Sequence, residues 1–409
     1  MSQNVLITTF GCRANQSESD SIASYYLKQG YNIVSEEDNA DLCIVNTCTV
    51  TAKTDLQCRN TIRSLKRRYP KAKIIVTGCY ANVSPDDLKK ITEIDEIVSS
   101  DTIKDDSIVT KRTRPQIKIQ DGCNRFCSYC IVPYARGRSR SLTKEMVFGH
   151  LKQMFLMGNA EVVLTGIHLG AYGADLSPKA TLLHLLKEIR AEFLPKYKFR
   201  IRLSSIDPDE VTDELATFIK ENDFICRHLH IPLQSGSDAI LKLMKRPYST
   251  KEYKDLIDSI KTKVENISIG TDVIVGFPGE DERLFNETLN FLKELNISYL
   301  HVFPYSKRKL TAAFNMKETA THKEKQTRVK KLMGLSDQMK NSFYKENIGK
   351  VFEIVVETKR DKKTGLLRGF TSNYIPVLLD GGDFLMGKMA VVKIGVVDNL
   401  IVKGRLNET

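Results

Sequence analysis

Three cysteines stand together in DGCNRFCSYC: Cys123, Cys127 and Cys130, at the spacing C-x3-C-x2-C just after a predicted strand. Three thiolates on one short loop suit an iron-sulfur cluster. A closed 4Fe-4S site takes four cysteines, so a triple leaves one iron open to a substrate or cofactor. The alternative is a zinc knuckle completed by a distant ligand, because structural zinc also takes four. A second trio is spread along the front of the chain. Cys12, Cys48 and Cys79 each stand at or just past the carboxyl end of a predicted strand, with a helix following. In parallel α/β sheets ligands gather at that edge, so these three thiols are expected to converge. Cys43, Cys58 and Cys226 are expected to be buried as small apolar residues.

The elements that must hold the cysteines follow from the apolar pattern. From residue 5 to about 100, β-rich runs (VLITTFG, DLCIVNTC, KIIVTGC) alternate with helical stretches (SESDSIASYYLKQG, a basic helix through about Tyr69, SPDDLKKI). Such alternation predicts a parallel sheet covered by helices. The polar stretch from Asp101 to Arg114 has no clear period and reads as a linker. A second series has the candidate strands PQIKIQD, EVVLTGI, KFRIRLSS, HLHIPLQS, SIGTDVIVGF and SYLHVFPYS, separated by helices such as TLLHLLKEIR. Six strands of this kind predict a barrel-like or open β/α sheet. A long charged helix, THKEKQTRVKKLMGLSDQMKNSFYKEN, then leaves it. After Ile348 the segments VFEIVVETK, LLRGFTSNYIPVLL, KMAVVKIGVV and LIVKGRL are broken by Gly and Asp turns, which predicts a small all-β barrel or sandwich. The expected domains are 1–113, 114–340 and 341–409.

The 409 residues are 41% hydrophobic and 27% charged, which excludes disordered and fibrous classes and is enough for two or three packed domains. No apolar run approaches the roughly 18 residues of a transmembrane helix, and MSQNVLITTF lacks signal-peptide character, so no membrane partner and a cytoplasmic location are expected. In a reducing compartment nine cysteines argue for metal or redox chemistry rather than a disulfide framework. Eight of them lie in the first 130 residues, so the site belongs to the front of the chain. Lys and Arg exceed Asp and Glu by 12, which favours a polyanionic partner.

The string DGCNRFCSYCIVPYARGRSRS, with Tyr129 before the last cysteine, resembles the radical S-adenosylmethionine superfamily. Together with TFGCRANQSES, IVNTCTVTAKTD and IIVTGCYAN upstream, it resembles the methylthiotransferases of that superfamily over nearly the whole chain, including a terminal β domain similar to a TRAM domain. The resemblance implies an N-terminal parallel α/β sheet domain, a central partial β/α barrel, a small all-β terminal barrel, and two 4Fe-4S clusters. The cluster on Cys123, Cys127 and Cys130 would chelate S-adenosylmethionine at its open iron and cleave it reductively to a 5′-deoxyadenosyl radical. The cluster on Cys12, Cys48 and Cys79 would bind the sulfur that is methylated and transferred. By the same resemblance, cofactor contacts map onto Tyr129, Thr165, Gly166, Ser204, Ser205, Gln234 and Gly276, while His168 and His230 are expected to be structural.

The family divides between enzymes acting on the adenosine at position 37 of tRNA and enzymes acting on an aspartate of a ribosomal protein. Net charge, the run Arg136, Arg138 and Arg140, and the basic helix with Arg63, Lys66, Arg67 and Arg68 favour RNA, since all can meet phosphates. GCRANQSES, with Glu18 where the isopentenyladenosine branch resembles an aspartate, is most similar to the threonylcarbamoyladenosine branch, as are NTCTVTAKTD and RLSSIDPDE. The implied reaction places a methylthio group on C2 of N6-threonylcarbamoyladenosine in the tRNA anticodon loop, the base leaving its stack to react. An electron donor and a sulfur source, both unidentified, complete the expected partners. The alternatives are the isopentenyladenosine enzyme, the ribosomal-protein enzyme and, in a different class, a non-catalytic tRNA-binding protein with structural zinc. In the terminal domain Arg368, Thr371, Asn373 and Tyr374 are expected to grip the loop backbone or stack on a base. One departure stands out: Lys309 and Leu310 in YSKRKLTAAF replace the family's usual Pro-Gly, removing two turn formers from the loop after the last barrel strand.

Overall fold

The computed structural model describes residues 3–407 apart from positions 100, 104, 106 and 111. Its first sheet is wholly parallel, in the order β2-β1-β3-β4-β5, with β1 at Asn4–Thr9, β2 at Asn32–Val34, β3 at Leu42–Thr47, β4 at Lys73–Gly78 and β5 at Glu96–Ile97. The central strands are buried on both faces, which is why they read as continuous apolar runs. On one face Val5, Ile44 and Ile75 pack with Ile22 and Tyr26 of α1 (Arg13–Lys28). On the other, Leu6, Cys43, Val45 and Val76 pack with Cys58, Ile62 and Leu65 of α2 (Ala52–Arg68). Chain direction across the sheet reverses between β1 and β3, which opens a crevice beyond their carboxyl ends. Of the stretch Asp101–Arg114, positions 104, 106 and 111 lie outside the described residues. The described part is tied to α1: Ser21 Oγ donates to the Asp105 carbonyl at 2.6 Å, and Val109 N donates to Ser24 Oγ at 2.7 Å.

The second series forms β6 (Gln116–Asp121), β8 (Glu161–Gly166) and β9 (Arg200–Leu203), all parallel, with a short antiparallel β7 (Arg140–Ser141) on the free edge of β6. β10 (His228–His230), β11 (Ser268–Val275) and β12 (Tyr299–Pro304) make a further parallel sheet. A parallel bridge between Ser205 and His230 joins the two sheets, so the six expected strands run in chain order as a partial barrel. Helices Leu182–Phe193, Asp213–Glu221, Thr250–Lys263 and Glu282–Glu294 bury their apolar stripes against it in one continuous core. The long helix His322–Lys345 starts with a capping box from Thr321 and Glu324 and ends with Phe343 inside the core of the terminal domain.

That domain is a closed five-stranded barrel, β13 (Val351–Val356), β14 (Leu367–Thr371), β15 (Pro376–Leu379), β17 (Ile401–Leu406) and β16 (Met389–Asp398) in spatial order. LLRGFTSNYIPVLL, expected as one β segment, folds as two strands. Thr371 Oγ1 accepts from Ile375 N at 2.9 Å and donates to Asn373 Oδ1 at 2.6 Å, and Tyr374 takes a φ of 69°, so the chain reverses there. The turn docks on the central barrel. Arg200 donates to the Phe370 carbonyl at 2.6 Å, Arg202 donates to the carbonyls of Thr371 and Ser372 at 3.0 Å, and Asn373 Nδ2 donates to the Asn266 carbonyl at 3.1 Å. Both arginines are neutralised by the fully buried Glu161, at 2.6 and 2.7 Å. Burial alone would raise the Glu161 pKa, but Arg202 and Arg200 outweigh it and hold the carboxyl at about 2. Thr371 and Asn373 are therefore committed to this turn and are not free to grip RNA.

Candidate active site

Cys12 caps α1 directly after the loop from β1, Cys48 follows β3, and Cys79 opens α3 (Cys79–Val83) after β4. The three loops meet. Cys12 and Cys79 both direct Sγ at Asn15 Oδ1, at 3.5 and 4.0 Å. Gly11, at φ 98°, lets the β1 loop lie on Cys48: a Cβ there would stand 2.8 Å from Cys48 Sγ. All nine cysteines are free thiols. Burial pushes Cys48 up to about 11 and Cys79 up to about 12, Arg136 opposing this at both. Cys58, itself buried, backs the Cys48 loop by donating Sγ to the Cys48 carbonyl at 3.7 Å. Cys43, Cys58 and Cys226 are all buried, in line with their expected role as small apolar residues.

Arg136 joins this trio to the other. It ends the short helix that follows Cys130, and it is buried. Its guanidinium donates to Asn15 Oδ1 at 2.5 Å, Glu18 Oε1 at 2.6 Å and Asp121 Oδ1 at 3.0 Å, while Lys118 pairs with the same Glu18 and Asp121 at 2.6 Å each. The expectation that Arg136 meets RNA is corrected, because its donors are taken by these partners and no phosphate can reach it. Three more contacts close the seam: Asn82 Nδ2 donates to the Ala135 carbonyl at 2.9 Å, Ala52 N donates to Ser306 Oγ at 3.0 Å, and Arg308 reaches Asp55 at 2.7 Å.

On the closely spaced trio, Cys123 Sγ accepts from Arg125 N and Cys127 Sγ accepts from Arg246, both at 3.3 Å. Such donors stabilise thiolates and suit sulfur ligands of iron. Arg246 is held in turn by Asp207 at 2.8 Å. His168 pairs with Glu210 at 2.6 Å. Burial opposes its charge, but Cys123 and Glu210 outweigh burial and push its pKa up to about 10. Cys130 of the close trio and the residues just past Cys48 line a common cavity of about 220 Å³. Cys130, Tyr129, Gln234, Asp272, Ile274 and Phe303 line one side of it, and Val50 and Thr51, just past Cys48, line the other.

Residues 4–99 match the uncharacterized protein family UPF0004, and residues 117–292 match the radical SAM superfamily. The chain is 38% identical to the threonylcarbamoyladenosine tRNA methylthiotransferase MtaB of Bacillus subtilis, over 95% of this chain and 93% of that protein. The chain belongs to the radical SAM methylthiotransferases. Another relative, the tRNA-2-methylthio-N(6)-dimethylallyladenosine synthase of Clostridium tetani, is 33% identical over 95% of this chain and 93% of its own. The radical S-adenosylmethionine methyltransferase TsrM of Kitasatospora setae shares the fold, with a TM-score of 0.56 at 15% identity over 77% of each chain.

Radical SAM chemistry brings S-adenosylmethionine and a 4Fe-4S cluster to this methylthiotransferase. The residues present fit both groups. Cys123 and Cys127 of the close trio receive N–H donors, Ser204 Oγ is buried with no hydrogen bond among the described residues, and the half-buried Gln234 side chain makes none either. Thr165 is buried at the end of β8 and Gly166 lies against Gln120, which also accepts from His168 N at 2.7 Å beneath the cysteine loop. Ser205 is exposed. Gly276 packs closely against the Lys325 side chain, where a Cβ would stand 2.5 Å from Lys325 Cγ, and its amide donates to Glu280 Oε1 at 2.6 Å. His230 is bonded to Asp272 and Tyr299. Arg246, Arg308 and Asn15 escaped the sequence reading, since no spacing marks a lone arginine or asparagine whose partners lie far along the chain. Among the described residues, no helix is long and apolar enough to cross a membrane.

The altered loop of this methylthiotransferase carries visible strain. Leu310 stands exposed at φ 72°, in the left-handed region that disfavours a branched L-residue by roughly 1–2 kcal/mol. Leu310→Gly is expected to stabilise the protein by about 1 kcal/mol, since little apolar contact is lost. An unchanged or lower midpoint of thermal unfolding would show that the loop gains more from leucine than the backbone loses.

Proposed function

We propose that this protein methylthiolates C2 of N6-threonylcarbamoyladenosine at position 37 of tRNA, with one 4Fe-4S cluster on Cys123, Cys127 and Cys130 and a second on Cys12, Cys48 and Cys79. The observation that carries the reading is the single cavity bounded by Cys130 on one side and by the residues following Cys48 on the other. The relatives' names support the choice of base: the relative at 38% identity is named for threonylcarbamoyladenosine, the one at 33% for the dimethylallyl analogue. When bound, S-adenosylmethionine and the clusters supply a carbon radical that takes the C2 hydrogen and a methylated sulfur that replaces it.

The chain's own contribution is placement and charge. Val50, Ile274 and Phe303 give the cavity apolar walls. Tyr129, Ser204 and Gln234 offer polar atoms to the cofactor, and Thr165 and Gly166 offer backbone groups at the end of β8. Arg246 sets a cation against Cys127, and Arg136 does the same for Cys79. Hydrogen abstraction needs no side-chain acid or base. Arg138 and Arg368, with Arg63, Arg67 and Arg68 on α2, are exposed and can meet backbone phosphates, as can the exposed Arg140, which is already paired with Asp101 and Asp121 at 3.6 Å. Tyr374 is half-buried, stacked near His228 and Phe370, which leaves it in the barrel mouth rather than in the terminal core. An electron donor and a sulfur source must act with it.

Mass spectrometry of digested tRNA from cells with and without the gene tests the reading. Loss of the 2-methylthio form of threonylcarbamoyladenosine alone is the expected result. Loss of the isopentenyl analogue would reassign the base, and no change in either would direct attention to the ribosomal protein.

A further inference from the structure

Arg13 follows Cys12 directly and is the first residue of α1. It is half-buried, and its side chain makes no hydrogen bond or ion pair among the described residues. It lines a second cavity, of about 480 Å³, together with Arg112, Arg114, Arg202 and Tyr374. The other three arginines have their counter-anions: Asp20 for Arg112 at 3.5 Å, Glu357 for Arg114 at 2.8 Å and Glu161 for Arg202 at 2.7 Å. Arg13 lacks one. Its charge nevertheless acts on the rings around it. Burial would raise the Tyr374 phenol, but Arg13, Arg114 and Arg202 outweigh burial and hold it below its ordinary value; Arg13 also acts on His228 and Tyr299.

Those rings belong to a polar run through the barrel interior. His228 Nε2 is 2.9 Å from the Tyr299 hydroxyl, which is 3.2 Å from His230 Nδ1, and His230 Nε2 is 2.9 Å from Asp272 Oδ1. Asp272 lines the reaction cavity beside Cys130. An unpaired cation therefore shares its cavity with Tyr374, whose ring packs 4.6 Å from His228, the first member of the polar run that ends at the reaction cavity, and the backbone fixes that cation next to a cysteine of the second trio.

We propose that Arg13 binds the carboxylate of the N6-threonylcarbamoyl arm and is the residue that selects this base over the neutral isopentenyl analogue. The inference rests on the substrate reading above and extends it to a named contact. A half-buried guanidinium without a partner has lost hydration without compensation, and a carboxylate restores it through two parallel N–H···O bonds. Of the two N6 arms, only the threonylcarbamoyl arm ends in a carboxylate. A site built around a charged partner rejects an analogue lacking it far more strongly than an apolar pocket rejects an extra methylene.

The test uses reconstituted full-length protein and anticodon stem-loops that carry threonylcarbamoyladenosine, its threoninamide analogue or isopentenyladenosine. Wild-type protein is expected to show a KM at least about tenfold lower for the acid than for the amide. Arg13→Gln should raise the KM for the acid to that of the amide while leaving the amide's own KM within about twofold, and Arg13→Lys should recover part of the loss. Iron content, measured alongside, reports whether Cys12 next door still holds its trio together. Wild-type protein that treats acid and amide alike overturns the role of Arg13 and leaves the substrate reading standing. An Arg13→Gln protein that loses both substrates equally, with iron, also overturns it, as a structural residue. Activity on isopentenyladenosine and none on the acid overturns the substrate reading itself, and Arg13 with it.

Discussion

Cys127→Ala protein is expected to lose reductive cleavage of S-adenosylmethionine to background, whereas Cys48→Ala protein keeps cleavage and loses methylthiolation. The two thiols belong to different trios, and each proposed trio has three ligands with none to spare. Losing one of three should empty that site and leave the other. Iron should fall from about eight to about four atoms per chain in either variant, as two clusters of four imply. Release of 5′-deoxyadenosine, followed anaerobically by chromatography, separates the two losses. Methylthiolation that survives Cys48→Ala would remove the second cluster from this reading. A colourless wild-type protein carrying zinc would remove both.

Arg136→Met is expected to destabilise the protein by about 3–5 kcal/mol, because it leaves the buried Glu18 with Lys118 alone and Asp121 with Lys118 and the more distant Arg140. The side chain bonds Asn15, on which the thiols of Cys12 and Cys79 converge, so the variant should also retain less iron. The pH dependence has a definite sign. Burial would raise the Glu18 pKa, but Lys118 and Arg136 outweigh it and hold the carboxyl below its ordinary 4.5. A carboxyl lowered on folding contributes stability that is present above its unfolded pKa and lost as pH falls through the folded value. Wild-type protein should therefore keep this contribution down to about pH 4.5, and the acid limb of the variant should begin at higher pH. Thermal unfolding at several pH values measures both effects. A loss under about 1 kcal/mol would mean that the buried pairs do not hold the seam together.

Much of the architecture was legible because the strands are buried on both faces and so appear as apolar runs ending at Cys, Gly or Ser. The short edge strands β2 and β5 left no such run, having three and two residues. The reversal inside RGFTSNY was missed because it depends on the Thr371 hydroxyl and a positive φ at Tyr374, neither of which breaks the β pattern. Convergence of Cys12, Cys48 and Cys79 followed from strand ends alone. Arg136 was misread for a simple reason: a basic run looks solvated until its acidic partner is found, and Glu18 lies 118 positions earlier. A glycine at a strand end likewise does not announce which neighbour it meets, and at Gly276 that neighbour is a lysine of the long helix.

The clasp between Glu161, Arg200, Arg202 and the Phe370–Ser372 carbonyls has a consequence for scale. A terminal module on a free linker would search a volume, and its grip on a polymer would say nothing about where the polymer is cut or modified. Here the carbonyls of one barrel are locked to arginines on a strand of the other, so the spacing between the outer strands of the terminal barrel and the reaction cavity is constant. The two barrels stand to each other like the jaws of a caliper: a tRNA held at the terminal barrel would present to the cavity only the nucleotide at that fixed distance.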